Sequence, residues 1–197
     1  MRGAFIAFEG LDQSGKQTQT DALAAALTAA GHQCERLSFP DYATAIGTEI
    51  HRALHGERDY APDVMQLLYV ANRYEFKARL EASVADGRII VCDRYKASSI
   101  AYGEAQGLDP AWLTDIQRFL PAADLTILLD IPPKVAVERK ASNRDRYERD
   151  LDLLTRVRSS YRAQASDPGW VLIPGDRDQA VVTADVQQTV RSRLGLL

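Results

Sequence analysis

The residues best suited to chemistry lie in a glycine-rich stretch at positions 10–16. Glycine lets the backbone turn sharply and approach a ligand closely, and successive N–H groups in such a loop converge on anionic oxygens. An apolar run precedes the stretch and an alanine-rich helical pattern follows it, so the positive end of a helix faces the same point. The stretch therefore predicts a site for the phosphates of a nucleotide, with Lys16 reaching the outer ones. The residues predicted to surround these phosphates are Gly10, Asp12, Gln13, Ser14, Gly15, Lys16, Gln17 and Thr18.

A second candidate group, Asp93 and Arg94, follows a nearly all-apolar run at residues 88–92. Ligands of parallel sheets collect at the carboxyl ends of the strands, which would bring this pair beside the glycine-rich loop. A carboxylate in that place suits Mg²⁺ bound through water, and a guanidinium suits a phosphate. The alternative is an aspartate that caps a turn and is followed by an exposed arginine.

Apolar strand patterns alternate with amphipathic helical patterns along the whole chain, which predicts an α/β fold. Strands are expected over residues 5–8, 34–39, 88–92, 125–131 and 170–173. Helices are expected over residues 16–30, 46–54, 62–85, 110–120, 133–140 and 151–165, with a terminal helix ending near residue 194. Continuous apolar strands separated by helices predict a three-layer structure, a parallel five-stranded sheet with helices on both faces.

Length and composition narrow the class of protein. The 197 residues suit one domain, and the net charge of −3 with interspersed acids and bases does not favour nucleic acid as a partner. We expect no membrane span, because no apolar run approaches the roughly 20 residues needed. The two cysteines, Cys34 and Cys92, lie far apart and read as reduced. A cytoplasmic protein is expected.

The chain also resembles the thymidylate kinase family, P-loop kinases that act on nucleoside monophosphates. Five motifs carry this resemblance, in the family's order. They are residues 8–12 with Gly15-Lys16, Phe39-Pro40, residues 67–75, Asp93-Arg94-Tyr95 with Ser98-Ser99 and Ala101-Tyr102, and residues 146–148. The resemblance implies one P-loop kinase domain over residues 1–197 with a short lid at about 141–149, and a homodimer.

The resemblance also implies transfer of the γ-phosphoryl group of ATP to thymidine monophosphate (dTMP). Lys16 would hold the donor phosphates, while Asp93 with Mg²⁺ would spread the charge of the group in transfer. Arg139 would lie over the adenine, with an exposed, salt-bridging arginine as the alternative. Lys16, Asp93, Arg94 and Arg144 are the predicted catalytic residues.

The acceptor site is predicted from the same resemblance and from side-chain chemistry. Arg73 and Arg94 are candidates to clamp the acceptor phosphate, because a guanidinium offers two parallel donors. Tyr69 lies one helical turn before Arg73 and can stack on a base, although a tyrosine at this spacing can also be simple core. The other predicted acceptor residues are Asp12, Phe39, Tyr42, Ser98, Ser99 and Tyr102.

Three positions depart from the family pattern. Tyr42 stands where many relatives have an arginine, and Gln17 replaces the usual hydroxyl residue that contacts magnesium, with Thr18 one place later. Gln13 stands where some relatives carry an arginine that contacts the transferred group. We expect Arg144 in the lid to supply that charge, with Arg146 and Arg139 as substitutes, unless Arg144 is only a solvated loop residue.

Two other functions remain open at this point. A deoxynucleoside kinase would use the same loop but would not need two arginines for an acceptor phosphate. A nucleotide-dependent switch would need no second substrate site, and the chain lacks an Asn-Lys-x-Asp motif that would read guanine. The sequence therefore favours a kinase of nucleoside monophosphates.

Overall fold

A computed structural model describes residues 2–139 and 150–197 and has at its centre a five-stranded parallel sheet. The strands are β1 (Ala4–Glu9), β2 (Cys34–Ser38), β3 (Ile89–Asp93), β4 (Leu125–Asp130) and β5 (Trp170–Pro174). Their order across the sheet is β2-β3-β1-β4-β5, and every neighbouring pair is parallel. The predicted α/β class and the five-stranded parallel sheet are confirmed.

Helices cover both faces of this sheet. They are α1 (Lys16–Ala29), α2 (Ala45–Leu54), α3 (Pro62–Tyr74), α4 (Lys77–Ala85), α5 (Lys96–Ala105), α6 (Pro110–Asp115), α7 (Pro133–Arg139), α8 (Leu151–Gln164) and α9 (Gln179–Leu194). Within the described ranges, no helix is both long and apolar enough to cross a bilayer.

Strand β1 shows how the two-residue side-chain period builds both layers of the core. Ile6 and Phe8 face α1 and α9, where they join a buried apolar cluster. Phe5 and Ala7 point to the opposite face and pack in a cluster that includes α4. All six residues of β1 are buried, as expected for the central strand of a sheet that is covered on both sides. The glycine-rich loop therefore begins at the most buried strand of the molecule.

The helix predicted over residues 62–85 is wrong, because the chain bends between α3 and α4. The break falls at Glu75 and Phe76, where the Phe76 N–H bonds to the carbonyl of Arg73, three residues back. The Phe76 ring packs edge-on against Phe39, with centroids 5.4 Å apart. The Glu75 carboxylate accepts bonds from Asn72 and Thr44. Tertiary contacts set this break, since neither glycine nor proline marks it in the sequence.

Two further expectations differ from the structure. Helix α5 was not predicted, although it follows the Asp93-Arg94 pair directly. Its Gly103 allows close packing on α6, because a Cβ there would lie 2.6 Å from the Leu113 Cδ1 atom. Helix α6 ends at Asp115 and not near residue 120, and the chain continues to Leu120 in turns. The predicted lid lies outside the described residues.

Candidate active site

Two adjoining pockets open at the carboxyl edge of the sheet. The inner pocket has a cavity volume of about 100 Å³. It is lined by Asp12, Phe39, Pro40, Tyr42, Leu54, Gln66, Tyr69, Arg73, Arg94, Ser98, Ser99 and Tyr102. The larger loop pocket includes residues 12–19, Asp93, Arg139, Gly175 and Arg177. Asp12, Phe39, Pro40, Tyr42 and Arg94 line both pockets.

The glycine-rich loop forms the floor of the loop pocket. Gly10 and Gly15 both have a positive φ, at 141° and 93°, which glycine adopts without strain. A Cβ on Gly10 would lie 2.5 Å from the carbonyl oxygen of Leu129, so this position also needs glycine for close packing. Gly15 is the N-cap of α1, and the free N–H groups of that first turn face the pocket region. The loop thus has the backbone of an anion site.

Lys16 is buried at the centre of this loop, with 5% of its surface exposed. Its ammonium donates to the carbonyls of Leu11, at 2.8 Å, and Gly10, at 3.2 Å. Burial, together with the nearby positive charge of Arg94, lowers the pKa of Lys16 to about 8, against the raising effect of Asp93, Asp12 and Glu9. An anion in the loop pocket would relieve this cost of burying a charge.

An ion pair between Asp12 and Arg94 joins the two pockets. The Arg94 Nη2 donates to the Asp12 Oδ1 at 2.7 Å, and the Tyr102 hydroxyl donates to Oδ2 at 3.1 Å. Burial opposes the charge on Asp12, but Arg94 and Lys16 outweigh it, so the pKa of this carboxyl lies well below its ordinary value. Arg94 has a φ of 63°, and its backbone N–H bonds to the Phe8 carbonyl at 2.9 Å. The exposed-arginine alternative for Arg94 is therefore wrong, since its side chain is 14% exposed and bonds to Asp12, Ser98 and Tyr161.

A buried hydrogen-bond network, which was not predicted from the sequence, holds the Arg94 side chain in place. The Glu9 carboxylate accepts bonds from the Tyr95 N–H, at 2.8 Å, and from the Ser98 hydroxyl, at 2.6 Å. The Tyr161 hydroxyl lies 2.8 Å from the Ser98 Oγ and 3.2 Å from the Glu9 Oε2. Arg94 Nη1 donates to both hydroxyls. Strand β1, helix α5 and helix α8 thus meet in one network that fixes the arginine.

Arg73 lines the inner pocket and is 3% exposed. Its Nη1 donates to the Ser99 hydroxyl at 2.8 Å and to the Gln117 Oε1 at 3.4 Å. The Nε is buried without a hydrogen-bond partner among the described residues. Burial lowers the pKa of Arg73, against the raising effect of the buried Glu9. This N–H is a donor available to a ligand.

The mouth of the inner pocket is shaped by the segment after β2. The Asn72 amide accepts from the Asp41 N–H at 2.8 Å and donates to the Thr44 hydroxyl at 3.0 Å. These bonds hold the segment against α3, with Phe39 buried and Tyr42 45% exposed. Asn72 is a second residue that sequence reasoning missed. Phe39 and Tyr42, both predicted acceptor residues, line the inner pocket.

Asp93 ends β3 inside the loop pocket, and its Oδ1 is buried without a hydrogen-bond partner among the described residues. No group of three or more His, Cys, Asp or Glu side chains in residues 2–139 and 150–197 could hold a metal ion by itself. Mg²⁺ is usually held by one or two carboxylates, with phosphate oxygens and waters completing its shell. The free oxygen beside the phosphate loop fits that donor set.

Arg139 ends α7 at the rim of the loop pocket. Its guanidinium donates to the carbonyls of Gln13, at 3.1 Å, and Gly175, at 3.0 Å. It thereby connects the phosphate loop to the segment after β5. Arg177, which was not predicted, lines the same pocket. Arg144 and Arg146 lie outside the described residues.

The sheet order, the glycine-rich loop before α1 and the adjoining second pocket are typical of a P-loop protein with room for a second ligand. Comparison with known proteins narrows this class. A family profile described as thymidylate kinase matches residues 8–186, and the chain belongs to the thymidylate kinase family. The protein is therefore a kinase, as predicted from its sequence.

Individual relatives agree with this assignment. The thymidylate kinase of Arabidopsis thaliana is 35% identical over 189 residues, which span 96% of this chain and 71% of that protein. The probable thymidylate kinase of Pyrobaculum aerophilum is 36% identical over 192 residues, which span 95% of this chain and 96% of that protein. A solved structure of the Candida albicans thymidylate kinase is similar over the whole of this chain and 94% of that one, with a TM-score of 0.85 and 27% identity.

Proposed function

We propose that the protein transfers the γ-phosphoryl group of ATP to dTMP and produces ADP and thymidine diphosphate. The observation that carries this proposal is the common wall of the two pockets, where Asp12 and Arg94 face both. Two ligands bound on either side of that wall would bring their phosphates together. Phosphoryl transfer needs little acid or base chemistry, so positioning and electrostatic stabilisation supply most of the catalysis.

ATP would bind with its phosphates in the loop pocket. The backbone N–H groups of residues 13–18 and the ammonium of Lys16 would hold the β- and γ-phosphates. Asp93 would hold Mg²⁺ through its free oxygen, and the ion, when bound, neutralises charge on the phosphates. Because Gln17 has no hydroxyl, phosphate oxygens and waters would supply the other ligands. Arg139 at the pocket rim would stack on the adenine.

The acceptor phosphate would lie at the common wall. Arg94 lines both pockets and is held rigidly, which supports it as the principal clamp of this phosphate. Asp12 would contact the deoxyribose 3′-hydroxyl. Tyr102, fixed to Asp12 by its hydroxyl, would fill the space that a ribose 2′-hydroxyl needs. Tyr42 would add a hydroxyl contact at the mouth, and Ser98 would support Arg94.

The base would occupy the inner pocket. Tyr69 would stack on the pyrimidine ring, Phe39 would form part of the wall, and Ser99 would hold Arg73 in place. Of the two pockets, Arg73 lines the inner one, and its Nε has no hydrogen-bond partner among the described residues, so this N–H suits a base carbonyl as well as the predicted phosphate contact.

The remaining expectations complete the proposal. Arg144, in a lid over about residues 141–149 of one domain covering 1–197, would supply the positive charge that Gln13 lacks. Helix α3 exposes Val64 and Leu67, at 38% and 47%, which supports a homodimer through that surface. We place the enzyme in the cytoplasm, without nucleic acid or membrane as a partner.

One assay tests the proposal against its rivals. ADP release is measured with ATP and Mg²⁺ and with each nucleoside or nucleoside monophosphate as acceptor. We expect dTMP to be the preferred acceptor and chelation of Mg²⁺ to stop the reaction. Equal activity on thymidine would favour a nucleoside kinase. ADP release at the same rate with every acceptor and without one would favour a nucleotide-dependent switch. Either result would overturn the assignment.

A further inference from the structure

Gln66 lies in the wall of the inner pocket, and its side-chain oxygen is unbonded in the part of the chain that the structure describes. The residue is 1% exposed, and its Oε1 is buried without a hydrogen-bond partner among the described residues. Buried polar side chains in native proteins are nearly always bonded, because an unsatisfied one costs most of its desolvation energy. An exception inside a ligand pocket points to a partner that the ligand supplies.

The position of Gln66 on α3 sets where that partner would lie. Gln66, Tyr69 and Arg73 follow one another at spacings of three and four residues, so they line one face of the helix, and all three line the inner pocket. Met65 and the partly buried Leu54 belong to the apolar cluster between α2 and α3 beside it. An amide one turn from a stacking ring lies near the edge of a base that stacks there.

We propose that Gln66 reads the imide edge of the acceptor base, with its Oε1 accepting the N3–H of a 2,4-dioxopyrimidine. This inference rests on the proposed function and deepens it. The orphan oxygen needs a hydrogen-bond donor, and thymine has only one N–H group, at N3, because N1 carries the sugar. A glutamine side-chain oxygen accepts hydrogen bonds, so pairing with N3–H would satisfy the Oε1 atom.

Opposite effects on stability and on binding are expected from this role. Replacing Gln66 with methionine, an unbranched side chain of similar length, removes the unsatisfied oxygen and keeps the volume. The free protein should then melt about 2–4 °C higher. Catalytic efficiency with dTMP should fall about tenfold, as expected for one lost hydrogen bond to the ligand. A residue that only packs the core would lose stability and leave efficiency unchanged.

The experiment compares wild type, Gln66→Met and the matched control Gln164→Met. Gln164 is a partly buried glutamine on α8 that bonds to protein groups outside both pockets. The melting temperature without nucleotide and kcat/KM are measured for dTMP, deoxyuridine monophosphate and N3-methyl-dTMP. The first two acceptors share N3–H and should lose efficiency equally in Gln66→Met. N3-methyl-dTMP lacks that N–H. The ratio of kcat/KM for dTMP over N3-methyl-dTMP should therefore be about tenfold smaller in Gln66→Met than in wild type, and unchanged in Gln164→Met.

The outcomes separate this inference from the proposed function. If wild type phosphorylates dTMP but its preference over N3-methyl-dTMP is the same in Gln66→Met, the base-reading role is wrong and the kinase assignment stands. If wild type does not phosphorylate dTMP, the proposed function itself fails. Should Gln66→Met not fold, Gln66→Ala tests the same preference ratio.

Discussion

Replacing Lys16 with methionine should make the free protein more stable at neutral pH while nearly abolishing activity. Burial, with Arg94 nearby, lowers the Lys16 pKa from 10.5 to about 8. A pKa that differs by one between the folded and unfolded states corresponds to about 1.36 kcal/mol, so keeping this lysine charged in the fold costs about 3 kcal/mol at pH 7. Methionine fills a similar volume without that charge. The gain is reduced by the loss of two hydrogen bonds to loop carbonyls, each worth about 1 kcal/mol or more.

The pH dependence of the free energy of unfolding separates the effect of the Lys16 charge from the effect of the lost hydrogen bonds. Between pH 8 and 10.5 the unfolded chain keeps the Lys16 proton and the folded chain loses it. Stability of the wild type therefore rises with pH through this window, because the unfolded state binds more protons. The variant has no such group. Its stability relative to wild type should fall by about 3 kcal/mol from pH 7 to pH 10.5.

Urea unfolding of both proteins at half-unit steps of pH measures this difference. Lys134→Met, at an exposed position of α7, is the matched control and should give a profile parallel to wild type. Parallel profiles for Lys16→Met and wild type would refute the reasoning, since the buried charge would then carry no cost. Turnover of Lys16→Met should fall by about 10²–10³, as for removal of one group that stabilises the transition state.

Three further results are expected. Tyr102→Ala should narrow the ratio of kcat/KM for deoxyribose over ribose thymidine monophosphate, and an unchanged ratio would remove the steric role of this ring. Arg144→Ala should lower turnover by about a thousandfold and substrate affinity much less. Gln13→Arg should restore part of that loss, so failure of the rescue in a folded double variant would contradict the lid assignment. Tyr161→Phe removes one hydroxyl contact of Arg94 and should raise KM for dTMP several-fold with little change in KM for ATP; equal changes in both would argue for a general structural effect.

The sequence was sufficient for the features that depend on local pattern. Continuous apolar runs predicted β1 and β3, since a strand buried on both faces has no polar side. Glycines at fixed spacing predicted the phosphate loop, because its backbone conformation requires them at positions 10 and 15. Asp93 and Arg94 could be placed because strand ends of a parallel sheet converge.

Features that depend on long-range contacts were not predictable in this way. The bend between α3 and α4 comes from Phe76 packing on Phe39, 37 positions earlier in the chain, and no local residue marks it. The sequence places Glu9 in a motif, but it does not predict the contact with Tyr161, which lies 152 positions later and reaches Glu9 only in the folded chain. The Gln66 Oε1 has no hydrogen-bond partner among the described residues because of what surrounds it in the fold, so a helical pattern cannot distinguish this glutamine from any other.

The common wall between the two pockets has a consequence for inhibitor design. Asp12, Tyr42 and Arg94 line both cavities, so the two cavities meet at these side chains. A single molecule that joins adenosine to thymidine through a polyphosphate tether would occupy both cavities at once. Its second half would then bind at an effective concentration in the millimolar range, and affinity could exceed that of either half by about 10²–10⁴. The gain should vanish when the tether is too short to span the wall.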